Sequence, residues 1–188
     1  RAPSSVNTQP WEVTVVTGKP LEELKRANTE LIDLGVTPHQ EMKFGPHTGV
    51  YRERQIALAV QLFRLLGIER DDKEKRAEWS KRGNRFFDAP VAIILAADRS
   101  ACESTALYDI GAFVQTVALG ALHFGLGSCI QGQSLMAPEA VRRVTGISES
   151  KRLVICLAIG YPDWDFPANK VCTAREPLES FVSWCGFE

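Results

Sequence analysis

Residues able to do chemistry are densest at the start of the chain. Ser4, Ser5, Asn7 and Gln9 crowd small hydroxyl and amide side chains between Pro3 and Pro10, and the run passes straight into Trp11 and a Val- and Thr-rich segment. A stiff backbone with many hydrogen-bonding groups and little bulk suits gripping a flat polar heterocycle. The same composition also makes an ordinary turn capped by Ser and Asn, and the residues by themselves leave both readings open. Farther along, Ser128-Cys-Ile-Gln-Gly132 follows a long apolar stretch and reads by itself as a generic exit loop. Lys170 and Arg175, taken alone, are exposed surface charges. No Ser-His-Asp or paired-carboxylate constellation stands out.

These residues need elements to position them. Trp11 to Thr17 alternates and predicts a strand. Leu21, Leu24, Leu31 and Leu34 fall on one helical face, and Gly35 ends that helix. Residues 36–50 have no period and hold Pro38, His39, Phe44, Pro46 and His47, which gives a long loop that is either a lid or a plain connection. Tyr51 to Leu66 is helical by period and stops at Gly67. Asp71 to Arg82 predicts a solvated helix with Trp79 turned inward.

Pro90 to Ala97 is a continuous apolar run that suits a central strand buried on both faces. Leu107 to Leu126 is apolar nearly all round, which predicts a buried core helix. Pro138 to Thr145 predicts a short helix stopped by Gly146, and Leu153 to Ile159 a second buried strand. After Gly160 the chain turns irregular, and it closes with a short apolar stretch over Pro177 to Phe187. Strands alternating with helices, one of them wholly apolar, indicate an α/β or α+β layer fold.

The 188 residues suit one domain with a sizeable core. A net charge of −1 gives no basic face for nucleic acid. The longest apolar runs are strand- and helix-sized, so no membrane span is expected. Five cysteines at positions 102, 129, 156, 172 and 185 include no Cys-x-x-Cys pair. With three dispersed histidines they suggest neither a zinc site nor a disulfide framework, and reduced thiols in a cytoplasmic protein fit best. Cys129 reads as a small buried hydrophobe.

Four ordered blocks resemble the FMN-dependent nitroreductase family, in particular its nitrobenzoate reductase-like branch. They are Ala2-Pro-Ser-Ser-Val-Asn-Thr-Gln-Pro-Trp11, Phe87-Asp-Ala-Pro-Val-Ala-Ile-Ile94, Asp109-Ile-Gly running to Gly125-Leu-Gly-Ser-Cys-Ile-Gln-Gly132, and Ile159-Gly-Tyr-Pro162 with Lys170, Arg175, Glu176 and Pro177. The resemblance implies a single FMN-binding domain over residues 1–188 with an α+β nitroreductase-like fold. In that fold a central mixed sheet is wrapped by helices around a buried core helix, and a homodimer carries two flavins at the subunit interface.

The resemblance also implies the activity: an FMN-dependent NAD(P)H oxidoreductase that reduces nitroaromatics, quinones or similar electron-poor small molecules by ping-pong hydride transfer. The flavin performs the chemistry, so no catalytic side chain is expected. Pro3, Ser4, Ser5 and Asn7 would lie against the flavin, with Gln9 structural. Ile130, Gln131 and Gly132 would form the loop whose backbone N–H serves the flavin N5. Lys170 and Arg175 would hold the phosphate dianion. Phe44, His47 and Tyr51 would stack on substrate, and Arg52 and Arg54, or Arg82 and Arg85, would draw a substrate carboxylate.

Two departures from the family pattern matter. Gln131 stands where many relatives carry Glu. The family's N-terminal helix, with its Arg-x-Ser-x-Arg segment for the phosphate, has no counterpart in these residues; the chain is either trimmed or lacks that half of the grip. Alternatives on the same scaffold are a reductive dehalogenase, whose lid would draw on Glu41, Lys43 and Tyr51, and a flavin-destroying enzyme like the one that makes the lower ligand of cobalamin. An alternative of another class is a flavin-free regulatory or interaction protein.

Overall fold

The computed structural model describes residues 1–36, 39–43 and 45–187. They divide into two compact units: one of residues 1–45 and 72–162, the other of residues 46–71 and 163–188.

The first unit is built on a four-stranded sheet in the order β1 (Trp11–Thr17), β2 (Val91–Asp98), β4 (Lys151–Gly160), β3 (Gly127–Gln131). All three pairings are antiparallel, with Trp11 opposite Ala97, Val91 opposite Ile159 and Gln131 opposite Cys156. The sheet expected to be mixed therefore has no parallel pair among the described residues. The reason is topological: β4 inserts between β2 and β3 and runs opposite to both.

Side-chain alternation sends Ala92, Ile94 and Ala96 of β2 to one face and Leu95 and Ala97 to the other. The first face is covered by Leu21 and Leu24 of α1 (Gly18–Asp33), Val141 of α5 (Pro138–Thr145) and Phe86. The second is covered by Ala106, Ile110 and Val114 of α4 (Glu103–His123). A strand with helices on both faces has no polar side, which is why β2 and β4 read as continuous apolar runs although they are antiparallel. The register slips between Leu95 and Ala96, so Val154 and Ile155 both turn toward α4 while Leu153 and Cys156 face α1.

Helix α3 (Lys73–Asn84) is capped by Asp72, whose carboxylate accepts the Lys75 N–H at 3.0 Å. It leads to Phe86, Phe87 and Asp88, three successive non-glycine residues with φ of 60°, 52° and 61°. Fully buried Phe86 and the Trp79–Phe87 ring contact at 5.7 Å anchor this left-handed lead-in to β2.

Three further expectations need correction. Residues 127–131 are not an exit loop but the edge strand β3, whose partner β4 lies too far along the chain for local pattern to reveal. Helix α4 is buried only along its sheet side; Tyr108, Leu119 and Leu122 on its other side are exposed. It is also, by length and composition alone, apolar enough to cross a membrane, contrary to the expectation that no segment is, though a core helix packed on a sheet passes the same test.

The second unit pairs α2 (Gly49–Leu65) with the tail after Pro162. None of the α2 residues is buried, and Ile56 and Val60 stand exposed. Gln61 donates to the Cys172 carbonyl at 3.2 Å, and Arg54 bonds Glu176 at 3.0 Å, so the tail is held along the helix.

Candidate functional site

The N-terminal turn is held in an uncommon shape. Val6, Asn7 and Gln9 have φ of 40°, 62° and 47°. Asn tolerates the left-handed region, but a β-branched valine does not, and such residues cost about 1–3 kcal/mol each. Local bonds offset part of this: Asn7 N–H donates to Ser4 O (3.2 Å), Thr8 N–H to Ser5 O (2.9 Å), Gln9 N–H to Ser4 Oγ (3.1 Å), and the Gln9 amide to Asn7 O and Oδ1 (3.2 and 3.1 Å). Gln9 is thereby committed to shaping the turn. Pro3, Ser5 and Asn7 are exposed and Ser4 is half-buried, so the turn lies at the surface.

A buried carboxylate lies beneath the turn. Asp109 of α4, only 2% exposed, accepts the Ser5 N–H on both oxygens at 3.1 Å and the Thr8 hydroxyl at 3.4 Å. One helical turn on, Phe113 stacks against Trp11 with centroids 5.0 Å apart. Asp109 belongs to the Asp109-Ile-Gly block of the core helix, and its sequence neighbours give it no role. A lone carboxylate inside an apolar helical segment was the available signal.

At the end of β3, Ile130 is exposed and Gln131 is buried. Gln131 shares its face with Cys129, which packs against the α1-side core, so its side chain points to that face and Ile130 to the α4 side. Neither amide atom of Gln131 has a hydrogen-bond partner among the described residues. Burial raises the Cys129 thiol pKa, as expected of a small apolar filler. The following turn is pinned by Asn28, which donates to Asn84 O (2.8 Å) and Ser134 O (3.0 Å), while Ser134 Oγ donates to Gly83 O (3.2 Å).

Residues 39–43 of the long loop are tied down. Gln40 donates to Gly132 O at 3.1 Å. Glu41 accepts from Arg99 (2.7 Å), Arg142 (2.7 Å) and the Leu153 N–H (2.6 Å), beside the register slip of β4. Burial pushes the Glu41 carboxyl up, but that amide and the two guanidinium groups outweigh it and hold the group below its ordinary value of 4.5.

The remaining candidates lie elsewhere. Lys170, Arg175, His47 and Tyr51 belong to the second unit and are exposed; Phe44 lies outside the described residues. The Arg175 guanidinium folds back on Thr173 Oγ1 (2.9 Å) and the Ala174 carbonyl (3.1 Å), and Lys170 ends a short 3-10 turn. Arg54 is engaged by Glu176 and lies 5.9 Å over the Tyr51 ring. Arg52 donates to Gln55, and Arg82 and Arg85 pair with Asp88 and Glu78. Arg52, Arg54, Arg82 and Arg85 thus already have local partners.

The sequence profile of the Nitroreductase family matches residues 1–161. The chain belongs to the nitroreductase family. It is 32% identical over 189 residues to the 4-nitrobenzoate reductase of Nocardioides sp. (strain LMS-CY), covering 98% of this chain and 76% of that protein. It is also 32% identical over 186 residues to the nitrobenzene nitroreductase of Ectopseudomonas oleovorans, covering 97% and 82%.

Among solved structures, the FMN and NADPH-dependent nitroreductase NfnB from Sphigopyxis sp. strain HMH superposes with a TM-score of 0.93 at 33% identity, over 100% of this chain and 85% of that one. The FMN-dependent NfnB of Mycobacterium smegmatis, in complex with NADPH, gives 0.90 at 27% identity, over 98% and 82%.

A flavin needs hydrogen-bonding groups around its ring edge; the N-terminal turn and Gln131, whose buried amide has no partner among the described residues, are of that chemical type. The chain also has two cations in the tail, Lys170 and Arg175, that no carboxylate neutralises among the described residues. The donor set fits FMN.

Proposed function

We propose that this nitroreductase oxidises NAD(P)H with FMN and reduces nitroaromatics, quinones or similar electron-poor small molecules. The full-length likeness to an FMN and NADPH-dependent nitroreductase, at 33% identity and a TM-score of 0.93, carries this reading. Bound FMN supplies the two-electron chemistry. Pro3, Ser4, Ser5 and Asn7 orient the flavin, and backbone groups at Ile130, Gln131 and Gly132 address its polar edge. Lys170 and Arg175 hold its phosphate. His47, Tyr51 and Phe44 contact the acceptor, which takes its turn after NAD(P)H has left. No side chain is assigned an essential proton, since water can supply it.

We further infer that residues 1–188 act as one FMN-binding domain within a homodimer. The uncovered apolar side of α4 at Leu119 and Leu122 supports this, as do Phe181, Trp184 and Phe187 in the tail, all more than half exposed. NAD(P)H as reductant and exposed thiols at Cys102, Cys172 and Cys185 suit the cytoplasm. The dehalogenase reading loses support because Glu41, which its lid would need, is occupied by Arg142, Arg99 and Leu153.

The test is spectroscopic. Protein supplied with FMN should hold the yellow chromophore through gel filtration at the mass of a dimer. It should bleach under NADPH without oxygen and regain colour on adding 4-nitrobenzoate or a quinone. A protein that ignores excess FMN overturns the assignment.

A further inference from the structure

We propose that Asp109 is a positioning residue for the cofactor: it clamps the N-terminal turn in the strained shape that presents Ser4, Ser5 and Asn7. This rests on the FMN reading above.

Among the described residues, the turn is tied to the rest of the chain through Asp109. Its other polar contacts are local, between residues no more than five apart. Local bonds shape a turn but cannot fix where it sits. Among the described residues, the polar ties from residues 4–9 to the rest of the chain all end on Asp109, through Ser5 N–H and Thr8 Oγ1. Asp109 is buried, and no Lys, Arg or His lies within ion-pair distance among the described residues. A buried carboxylate needs hydrogen bonds to offset its desolvation, and here the turn supplies them. The dependence is mutual: the turn satisfies the carboxylate, and the carboxylate holds the turn against the tendency of Val6 to leave φ 40°.

Substituting Asp109 should release the turn without disturbing the sheet. Hydrogen exchange on the flavin-free chain is the first readout. In Asp109→Ala, amides of residues 5–9 should exchange at least about tenfold faster while those of β2 and β4 keep their protection. FMN titration by fluorescence quenching is the second: the dissociation constant should rise about tenfold, as expected for losing a charge-assisted bond.

Asp109→Asn keeps one oxygen for Ser5 N–H and should fall between wild type and Asp109→Ala in both readouts; it carries the test if the alanine variant does not fold. Unchanged exchange at residues 5–9, or unchanged FMN affinity in variants of a flavin-binding wild type, overturns the positioning role. A wild type that binds no FMN overturns the flavin reading instead, and the exchange data then judge the clamp by itself.

Discussion

Trp11 and Phe113 stack with ring centroids 5.0 Å apart and planes inclined by 26°, joining the first residue of β1 to the middle of α4. Both rings are half-buried and flank the core shared by the sheet and α4. Phe113→Ala should therefore cost about 2–3 kcal/mol, below the full value for a completely buried ring. Urea denaturation checks this; Phe113→Leu, which keeps most of the apolar volume, should recover more than half of the loss.

The Glu41–Arg142 pair gives a stability that depends on pH. The Glu41 carboxyl titrates lower in the folded chain than its ordinary 4.5. Its contribution is thus fully present above pH 4.5 and is lost as pH falls through the folded value. Glu41→Gln should destabilise the chain by about 2–3 kcal/mol at neutral pH, because it leaves Arg142 without its buried counter-charge. The gap between wild type and variant should shrink in melts taken progressively below pH 4.5.

Cys102 precedes the first turn of α4, and its thiol is lowered from 9.0 to about 7. The Ser104 hydroxyl is the largest cause, followed by the hydroxyl and N–H of Thr105. The thiolate is the reactive form, so alkylation at this residue should rise with pH to half its maximum near 7. Peptide mapping after iodoacetamide pulses measures it. Ser104→Ala should move the midpoint toward 9.

Gln131 buries an amide that has no partner among the described residues. Leaving such a group unpaired costs about 1–3 kcal/mol, so Gln131→Leu should stabilise the flavin-free chain by about 1 kcal/mol in urea melts. A loss of stability would show that this amide has a partner in the flavin-free protein.

Much of the fold was legible because local pattern and tertiary role agree. The alternation of residues 11–17, the apolar runs at 90–97 and 153–159, and the glycines at 35, 67 and 146 each mark an element whose burial or φ demands that residue type. Strand β3 was not legible. Its five residues are bounded by glycines, and what makes them a strand is β4, paired from twenty or more residues away. The roles of Asp109 and Glu41 were equally hidden, since their partners lie 58 to 112 positions off in sequence.

The sequence alone determined the order of the elements other than β3 and the family to which the chain belongs, because periodicity and motif are properties of neighbouring residues. Only the tertiary structure decided that the sheet is antiparallel, that residues 39–43 are pinned by Glu41, and that the strained turn near the N-terminus rests on a buried carboxylate. Those outcomes depend on which distant groups must satisfy one another's hydrogen bonds and charge once water is excluded, and no local stretch of sequence encodes that pairing.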